Sequence, residues 1–166
     1  MNDVANRQIE LKLSSEVDTD RLGLLLAELL PDGTTIALLG TLGAGKTRLV
    51  KAIAAACEID PQTVISPTFV LVQEYDAKRQ LYHMDAYRIK DDDEFLELGP
   101  EEYFNSEGLT FVEWADRVVG CMPRSYVEIE IFVTGETERR VTIAAQGKAP
   151  ADWITQLATR YASSAS

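Results

Sequence analysis

Alternating and periodic apolar positions divide the first third of the chain into strands and helices. Residues 8–14 alternate apolar and polar side chains, which is typical of an edge strand, and residues 18–30 repeat apolar side chains at helical spacing. The β-branched and apolar run 34–40 predicts a strand, and residues 46–58 have the composition of a helix. This third of the chain therefore predicts the order strand, helix, strand, helix.

The middle of the chain has a different pattern, because extended runs follow one another with short turns between them. Residues 64–76 and 81–87 resemble a hairpin of two strands, which is unusual directly after such a helix. Residues 91–108 predict two short acidic helical turns separated by a Gly-Pro pair, and residues 109–114 predict a buried strand followed by one further helical turn.

The last third of the chain predicts a second hairpin and a terminal helix. Residues 125–133 and 139–145 alternate strongly around a turn, so we expect an antiparallel pair. A helix is predicted at about 149–161, with a frayed tail at 162–166. The whole pattern indicates one α/β domain, residues 1–166 with a core at about 8–145, and a mixed rather than purely parallel sheet.

The glycine-rich segment GTLGAGKT, residues 40–47, lies between a predicted strand and a predicted helix. It matches the P-loop pattern G-x-x-x-x-G-K-[ST] in full and in the required context. Its glycines allow backbone N–H groups to face phosphate oxygens, Lys46 supplies a cation for the β- and γ-phosphates, and the Thr47 hydroxyl can bind Mg²⁺. The starting hypothesis is therefore a nucleoside triphosphate site. Such a site is compatible with a kinase, a GTP switch, a motor or a partner-dependent ATPase.

Two acidic residues end strand-like runs, where a P-loop protein needs a carboxylate near the metal. Asp85 ends YHMD and Glu113 ends LTFVE, so both can project from the carboxyl edge of a sheet towards the loop. One division of roles places Asp85 on the Mg²⁺ side, directly or through water, and Glu113 on the metal or on the attacking water.

Other residues near these motifs allow both a structural and a functional interpretation. The segment SPTF, 66–69, lies where many P-loop proteins have a loop that senses the γ-phosphate, but it can equally be a plain turn. Trp114, next to Glu113, is more often a core residue. His83 is the only histidine of the chain, and with no Cys or His partner we expect it to be structural.

Charge and composition exclude several classes of protein. Sixteen basic and 27 acidic residues give a net charge of −11, which argues against a broad surface for RNA or DNA. Two isolated cysteines suggest a reducing compartment, and neither a signal peptide nor a membrane span is predicted, so we expect a cytoplasmic protein. The guanine-reading motif N-K-x-D is missing, which disfavours a GTPase. The arginine-rich lid that is typical of a small-molecule kinase is also missing.

The segments GTLGAGKT, SPTFVLVQEY, YHMDAYR and FVEW, in this order and with these gaps, resemble the TsaE family, formerly YjeE. This is the bacterial ATPase of tRNA threonylcarbamoyladenosine (t6A) biosynthesis. The resemblance covers about residues 10–145, and it implies an α/β, P-loop NTPase-like three-layer domain with a mixed parallel and antiparallel sheet. Met84 and Ala86 stand where the family commonly has bulkier apolar residues, which should alter packing more than chemistry.

The resemblance also implies roles for individual residues. Phosphate contacts are expected from Gly43, Ala44, Gly45, Lys46, Thr47 and Arg48. Mg²⁺ is expected near Thr47 and Glu113, with Asp85 close to the metal and the γ-phosphate; Lys46, Asp85 and Glu113 then form the catalytic set. A switch-like role is implied for 66–69, with Ser66 and Thr68 at the nucleotide, and a site role for Trp114. One arginine of the pair 139–140, which we assign as Arg140, is expected to approach the nucleotide.

For function, the resemblance implies weak, Mg²⁺-dependent ATP hydrolysis that is activated by the partner proteins TsaD and TsaB. That pair transfers a threonylcarbamoyl group to adenosine 37 of tRNA, so contact with tRNA would be indirect, without DNA or membrane binding. Two alternatives stay open: a small-molecule kinase, and a nucleotide-gated binding module without meaningful turnover.

Overall fold

The computed structural model describes residues 7–65 and 71–164, which form a seven-stranded sheet flanked by helices. The strands are β1 Gln8–Leu13, β2 Thr35–Leu39, β3 Val72–Tyr75, β4 Leu81–Asp85, β5 Leu109–Glu113, β6 Tyr126–Val133 and β7 Arg139–Gln146. The helices are α1 Glu16–Leu29, α2 Lys46–Ala56, α3 Asp92–Leu96, α4 Pro100–Phe104 and α5 Asp152–Ser164, with 3-10 segments at Pro61–Thr63 and Ala115–Cys121.

The sheet is mixed, with a parallel centre and antiparallel edges. Its strand order is β1-β7-β6-β2-β5-β4-β3, in which β6, β2, β5 and β4 run parallel to their neighbours in this group. The pairs β3–β4, β6–β7 and β1–β7 are antiparallel. The predicted edge strand, both hairpins and the mixed sheet are confirmed.

The two faces of the sheet carry two separate apolar clusters, which gives the fold three layers. The larger cluster lies under α1, α2 and α5 and includes Leu26, Ile53 and Phe111, all with no exposed surface. The smaller cluster lies on the opposite face and includes Phe95 of α3 and Val118 of the second 3-10 segment. Because α2 covers the face that carries the larger cluster, Asp85 and Glu113, at the carboxyl ends of β4 and β5, lie near the start of α2.

Among the elements, α5 and β3 differ most from their predicted bounds. Helix α5 begins only at Asp152, because Pro150 disfavours helical geometry in the residue before it. It continues to Ser164, past the predicted end, and Arg21 of α1 holds that end by donating from Nη1 to the Ser164 carbonyl at 3.2 Å. Of the extended run predicted at 64–76, the strand occupies Val72–Tyr75.

The segment that contains Ser66 and Thr68 lies outside the described residues, so their predicted role stays a prediction. Within residues 7–65 and 71–164, no helix combines the length and the apolar character needed to cross a membrane.

Candidate nucleotide site

The glycine-rich loop connects the carboxyl end of β2 to the first turn of α2, as predicted. Gly45 precedes the helix with a φ of 116°, a left-handed conformation that side chains rarely adopt. At Gly40 a Cβ atom would lie 2.8 Å from the Ile131 carbonyl oxygen, so only glycine fits against β6. The loop therefore wraps around the start of α2, whose first N–H groups have no partner within the helix.

A cavity of about 310 Å³ opens in front of this loop. Its walls come from the loop, from the start of α2 and from the carboxyl ends of β4 and β5. The lining residues are Leu42, Gly43, Gly45, Lys46, Thr47, Arg48, Asp85, Tyr87, Glu113 and Trp114. Most of the residues that the sequence predicted for the site therefore surround one space.

Lys46 is buried, with 5 % of its surface exposed, and its ammonium group donates to two backbone carbonyls of the loop. The Nζ atom donates to the carbonyl oxygens of Gly40 at 2.6 Å and Thr41 at 3.0 Å, and it lies 4.1 Å from the centroid of the Trp114 ring. Burial lowers the pKa of Lys46, while the negative charges of Glu113 and Asp85 oppose that shift. An arriving phosphate would offer this cation a charged partner in place of neutral carbonyls.

Thr47 and Glu113 are joined directly. The Thr47 hydroxyl donates to the Glu113 carboxylate, whose two oxygens lie 3.1 and 2.9 Å from Oγ1. This contact forms because β5 is the sheet neighbour of β2, so the end of β5 faces the first turn of α2. The residue pair predicted to flank the metal is brought together by the fold.

Asp85 lies beside Glu113, because the two residues are register partners at the ends of the parallel strands β4 and β5. Asp85 is 2 % exposed, and one of its carboxylate oxygens accepts a hydrogen bond from the Tyr87 backbone N–H at 2.7 Å. That bond fixes the turn after β4 and holds the carboxylate at the cavity wall.

His83 is the partner of Glu113 that our sequence reasoning missed. It has no exposed surface, and its Nε2 atom lies 2.5 Å from Oε2 of Glu113. A signal was present in the sequence: in a strand, residues two apart share a face, so His83 and Asp85 had to point the same way. Placing His83 against Glu113 also required knowing that β4 and β5 are neighbours.

Trp114 forms part of the cavity wall in a strained backbone conformation, with φ 60° and ψ 37°. Its ring lies 4.9 Å, centroid to centroid, from the ring of Tyr87, and the guanidinium of Arg117 lies over both rings. The structure thus places Trp114 both at the cavity wall and against the smaller apolar cluster, together with Tyr87 at the wall, which the sequence did not indicate.

Of the two arginines at 139–140, the structure favours Arg139 over the predicted Arg140 as the one that contacts the loop. Neighbouring residues of a strand point to opposite faces, and Arg140 lies over the ring of Phe132, 4.4 Å from its centroid, on the face opposite to that of Arg139. Arg139 is the arginine that reaches the loop: its Nε atom donates to the carbonyl oxygen of Ala44 at 2.9 Å, and Nη1 donates to that of Gly135 at 3.0 Å.

Arg48 lines the cavity, but its guanidinium is paired with helix α1. It lies 3.0 Å from both carboxylate oxygens of Asp20 and 3.6 Å from the carboxylate of Glu16. The backbone N–H of Arg48, in the first turn of α2, is therefore the group that is available for the phosphate contact expected of this residue.

The donor atoms of the site fit Mg²⁺. In the part of the chain that the structure describes, no three His, Cys, Asp or Glu side chains are grouped closely enough to hold a metal ion by themselves. Mg²⁺ usually takes one or two carboxylates together with phosphate oxygens and water, and the Thr47 hydroxyl with the carboxylates of Glu113 and Asp85 offers that oxygen set.

The three layers, the mixed sheet and the loop between β2 and α2 define a P-loop NTPase-like protein. Comparison with known proteins then identifies the family. The family model described as "Threonylcarbamoyl adenosine biosynthesis protein TsaE" matches residues 13–141, and the chain belongs to the TsaE family.

Individual relatives agree with this assignment. The chain is 37% identical to the tRNA threonylcarbamoyladenosine biosynthesis protein TsaE of Bacillus subtilis over 142 residues, which cover 85% of this chain and 88% of the relative. It is 42% identical to the TsaE protein of Aquifex aeolicus over 136 residues, 81% of this chain and 94% of the relative. The crystal structure of Bacillus subtilis YdiB superposes with a TM-score of 0.75 and 30% identity, covering 96% of this chain and 97% of that chain.

Proposed function

We propose that this protein hydrolyses ATP with Mg²⁺ and thereby supports t6A biosynthesis through the TsaD–TsaB pair. The observation that carries the proposal is the contact between Thr47 and Glu113 in front of the loop, with Asp85 beside them. A carboxylate pair and a P-loop hydroxyl at one wall of a cavity are the groups that a metal-dependent phosphoryl transfer requires.

Each residue has a distinct part in this proposal. The N–H groups of the loop and of the first turn of α2 bind the phosphates, and Lys46 leaves its carbonyl partners to balance the charge of the β- and γ-phosphates. Thr47, Glu113 and Asp85 would hold Mg²⁺, which supplies charge stabilisation to the transferred phosphoryl group. Glu113 and Asp85 also provide the carboxylates that can orient the attacking water.

The link to t6A biosynthesis rests on the family and on the names of the relatives. Charge supports an indirect role, because a chain with a net charge of −11 has little affinity for the tRNA backbone. We therefore infer that the protein acts on the TsaD–TsaB pair and that those proteins contact the tRNA.

The direct test is phosphate release from ATP by the purified protein and by its Glu113→Gln and Thr47→Ala variants, with and without Mg²⁺. We expect Mg²⁺-dependent turnover in the wild-type protein and a loss of at least tenfold in both variants, because each removes an oxygen ligand or its partner. Transfer of the γ-phosphate to a small acceptor would instead favour a kinase, and full Mg²⁺-dependent turnover by both variants would refute our assignment of the site.

A further inference from the structure

We propose that His83 is a positioning residue for Glu113: its Nε2–H group fixes the carboxylate in the orientation that meets Thr47 and the metal. This inference rests on the proposed function, because that function gives Glu113 its place at the metal. His83 lies in the segment YHMDAYR and was expected to be structural; the evidence for a positioning role is the geometry around Glu113.

The contact lies in the interior of the protein, where it cannot be replaced by water. His83 has no exposed surface and Glu113 is 3 % exposed. The Nε2 atom of His83 lies 2.5 Å from Oε2 of Glu113, and Oε2 also accepts from the Thr47 hydroxyl at 2.9 Å. The carboxylate is therefore held from two directions, by β4 and by the first turn of α2.

The surroundings of the ring assign its proton. Nδ1 of His83 is buried and has no hydrogen-bond partner among the described residues. A proton on Nδ1 would be an unsatisfied buried donor, which is costly, whereas a proton on Nε2 has Glu113 as its acceptor. The structure thus assigns the tautomer with the proton on Nε2, which makes His83 a donor to the carboxylate.

The hydrogen bond from His83 should affect the metal site through the orientation of the Glu113 carboxylate. A ligand carboxylate that is held by a second hydrogen bond keeps one orientation, and losing such a partner typically costs about 10- to 100-fold in metal affinity or activity. His83 does not line the cavity, so its loss should act through Glu113 and leave the phosphate contacts of the loop in place.

The tautomer can be tested directly, because His83 is the only histidine of the chain. A nitrogen-15 NMR spectrum of the labelled imidazole in the full-length protein should show a protonated Nε2 and a bare Nδ1. A proton on Nδ1 would overturn the proposal.

The positioning role is tested with three variants. His83→Leu removes the donor, His83→Gln keeps an amide donor at a similar distance, and Phe111→Leu is a structural control, since Phe111 is the buried register partner of His83 on β5. The measurements are the Kd of a non-hydrolysable ATP analogue with and without Mg²⁺, the rate of ATP hydrolysis, and the melting temperature.

We expect His83→Leu to reduce the Mg²⁺-dependent gain in affinity at least tenfold and to reduce kcat at least tenfold. The Kd without metal should change little. His83→Gln should recover most of both losses, whereas Phe111→Leu should lower the melting temperature without the same loss. Equal losses in His83→Leu and Phe111→Leu, a wild-type Mg²⁺-dependent gain in His83→Leu, or no such gain in the wild-type protein would each overturn the proposal. A wild-type protein that binds nucleotide with Mg²⁺ but hydrolyses no ATP would refute the proposed function, and the Mg²⁺ dependence of binding would still decide the role of His83.

Discussion

The P-loop lysine shows how a single side chain depends on its surroundings. Lys46 is almost completely buried, and neutral carbonyls and an aromatic ring take the place of water around its ammonium group. Such an arrangement keeps the cation next to the proposed phosphate site but leaves it with weaker partners than a phosphate would be.

We therefore expect Lys46→Ala to weaken ATP binding by about 10- to 100-fold, since a hydrogen bond to a charged group contributes about 1.5–3 kcal/mol. Lys51→Ala, on the same helix but away from the loop cavity, is the matched control and should bind ATP as the wild-type protein does. Isothermal titration calorimetry measures both, and unchanged ATP affinity of Lys46→Ala would show that this lysine does not contact the phosphates.

A second residue, Glu128, gives a prediction about pH. It lies on β6, where burial raises the pKa of its carboxyl and the negative charge of Glu130 adds to the shift. Because the pKa of Glu128 is raised in the folded state, ionising its carboxyl destabilises the folded protein. This destabilisation is absent below the pKa of the carboxyl in the unfolded chain, whose ordinary value is 4.5.

Glu128→Gln should therefore raise the melting temperature at about pH 7, and the difference should shrink as the pH falls to about 4, where the wild-type carboxyl is protonated in both states. Glu107→Gln, an exposed glutamate before β5, serves as control and should change stability little at either pH. A variant that is less stable than the wild-type protein at pH 7 would contradict this sign.

At the scale of elements, the β6–β7 hairpin supports the P-loop through a side chain at the start of β7. Arg139, the first residue of β7, donates to the carbonyl oxygen of Ala44 in the loop and to those of Gly135 and Glu138 in the hairpin turn. One guanidinium thus joins two segments that are about 95 positions apart in the chain.

The neighbouring arginine provides a matched pair of variants. Arg139→Ala should weaken nucleotide binding by several-fold to about tenfold, because a loop that has lost its hydrogen bonds is less preorganised for phosphate. Arg140→Ala should leave nucleotide binding unchanged, since Arg140 lies on the opposite face over Phe132. Titration with a fluorescent ATP analogue distinguishes the two, and a larger loss in Arg140→Ala would contradict the placement.

The elements also show what could be predicted from the sequence. Local patterns were sufficient for the P-loop, for the two hairpins and for the acidic residues at the ends of β4 and β5, because each depends on neighbouring residues. The contacts of His83 and Arg139 depend instead on the order of strands in the sheet and on which face each residue occupies. The choice between Arg139 and Arg140 depended on which face of β7 is turned towards the loop, and Arg139 shares its face with the buried Val141 and Ile143.

At the scale of the whole molecule, the central parallel strands place the loop, Asp85 and Glu113 at the carboxyl ends of the strands. Open α/β sheets bind their ligands at this end of the strands. The antiparallel strands extend the sheet on both sides of this centre, and β7 adds the arginine that supports the loop. The central strands thus carry the loop and the carboxylates that we propose for the metal, and the antiparallel part of the sheet supplies the arginine that contacts the loop.

The most direct test of the account is ATP hydrolysis by the purified protein, followed by phosphate release, alone and with added TsaD and TsaB. We expect weak turnover alone and a clear rise, of at least several-fold, with the pair, and no rise for Glu113→Gln, because the same carboxylate serves both conditions. An unchanged rate in the presence of the pair would contradict the claim that this nucleotide site serves the TsaD–TsaB proteins.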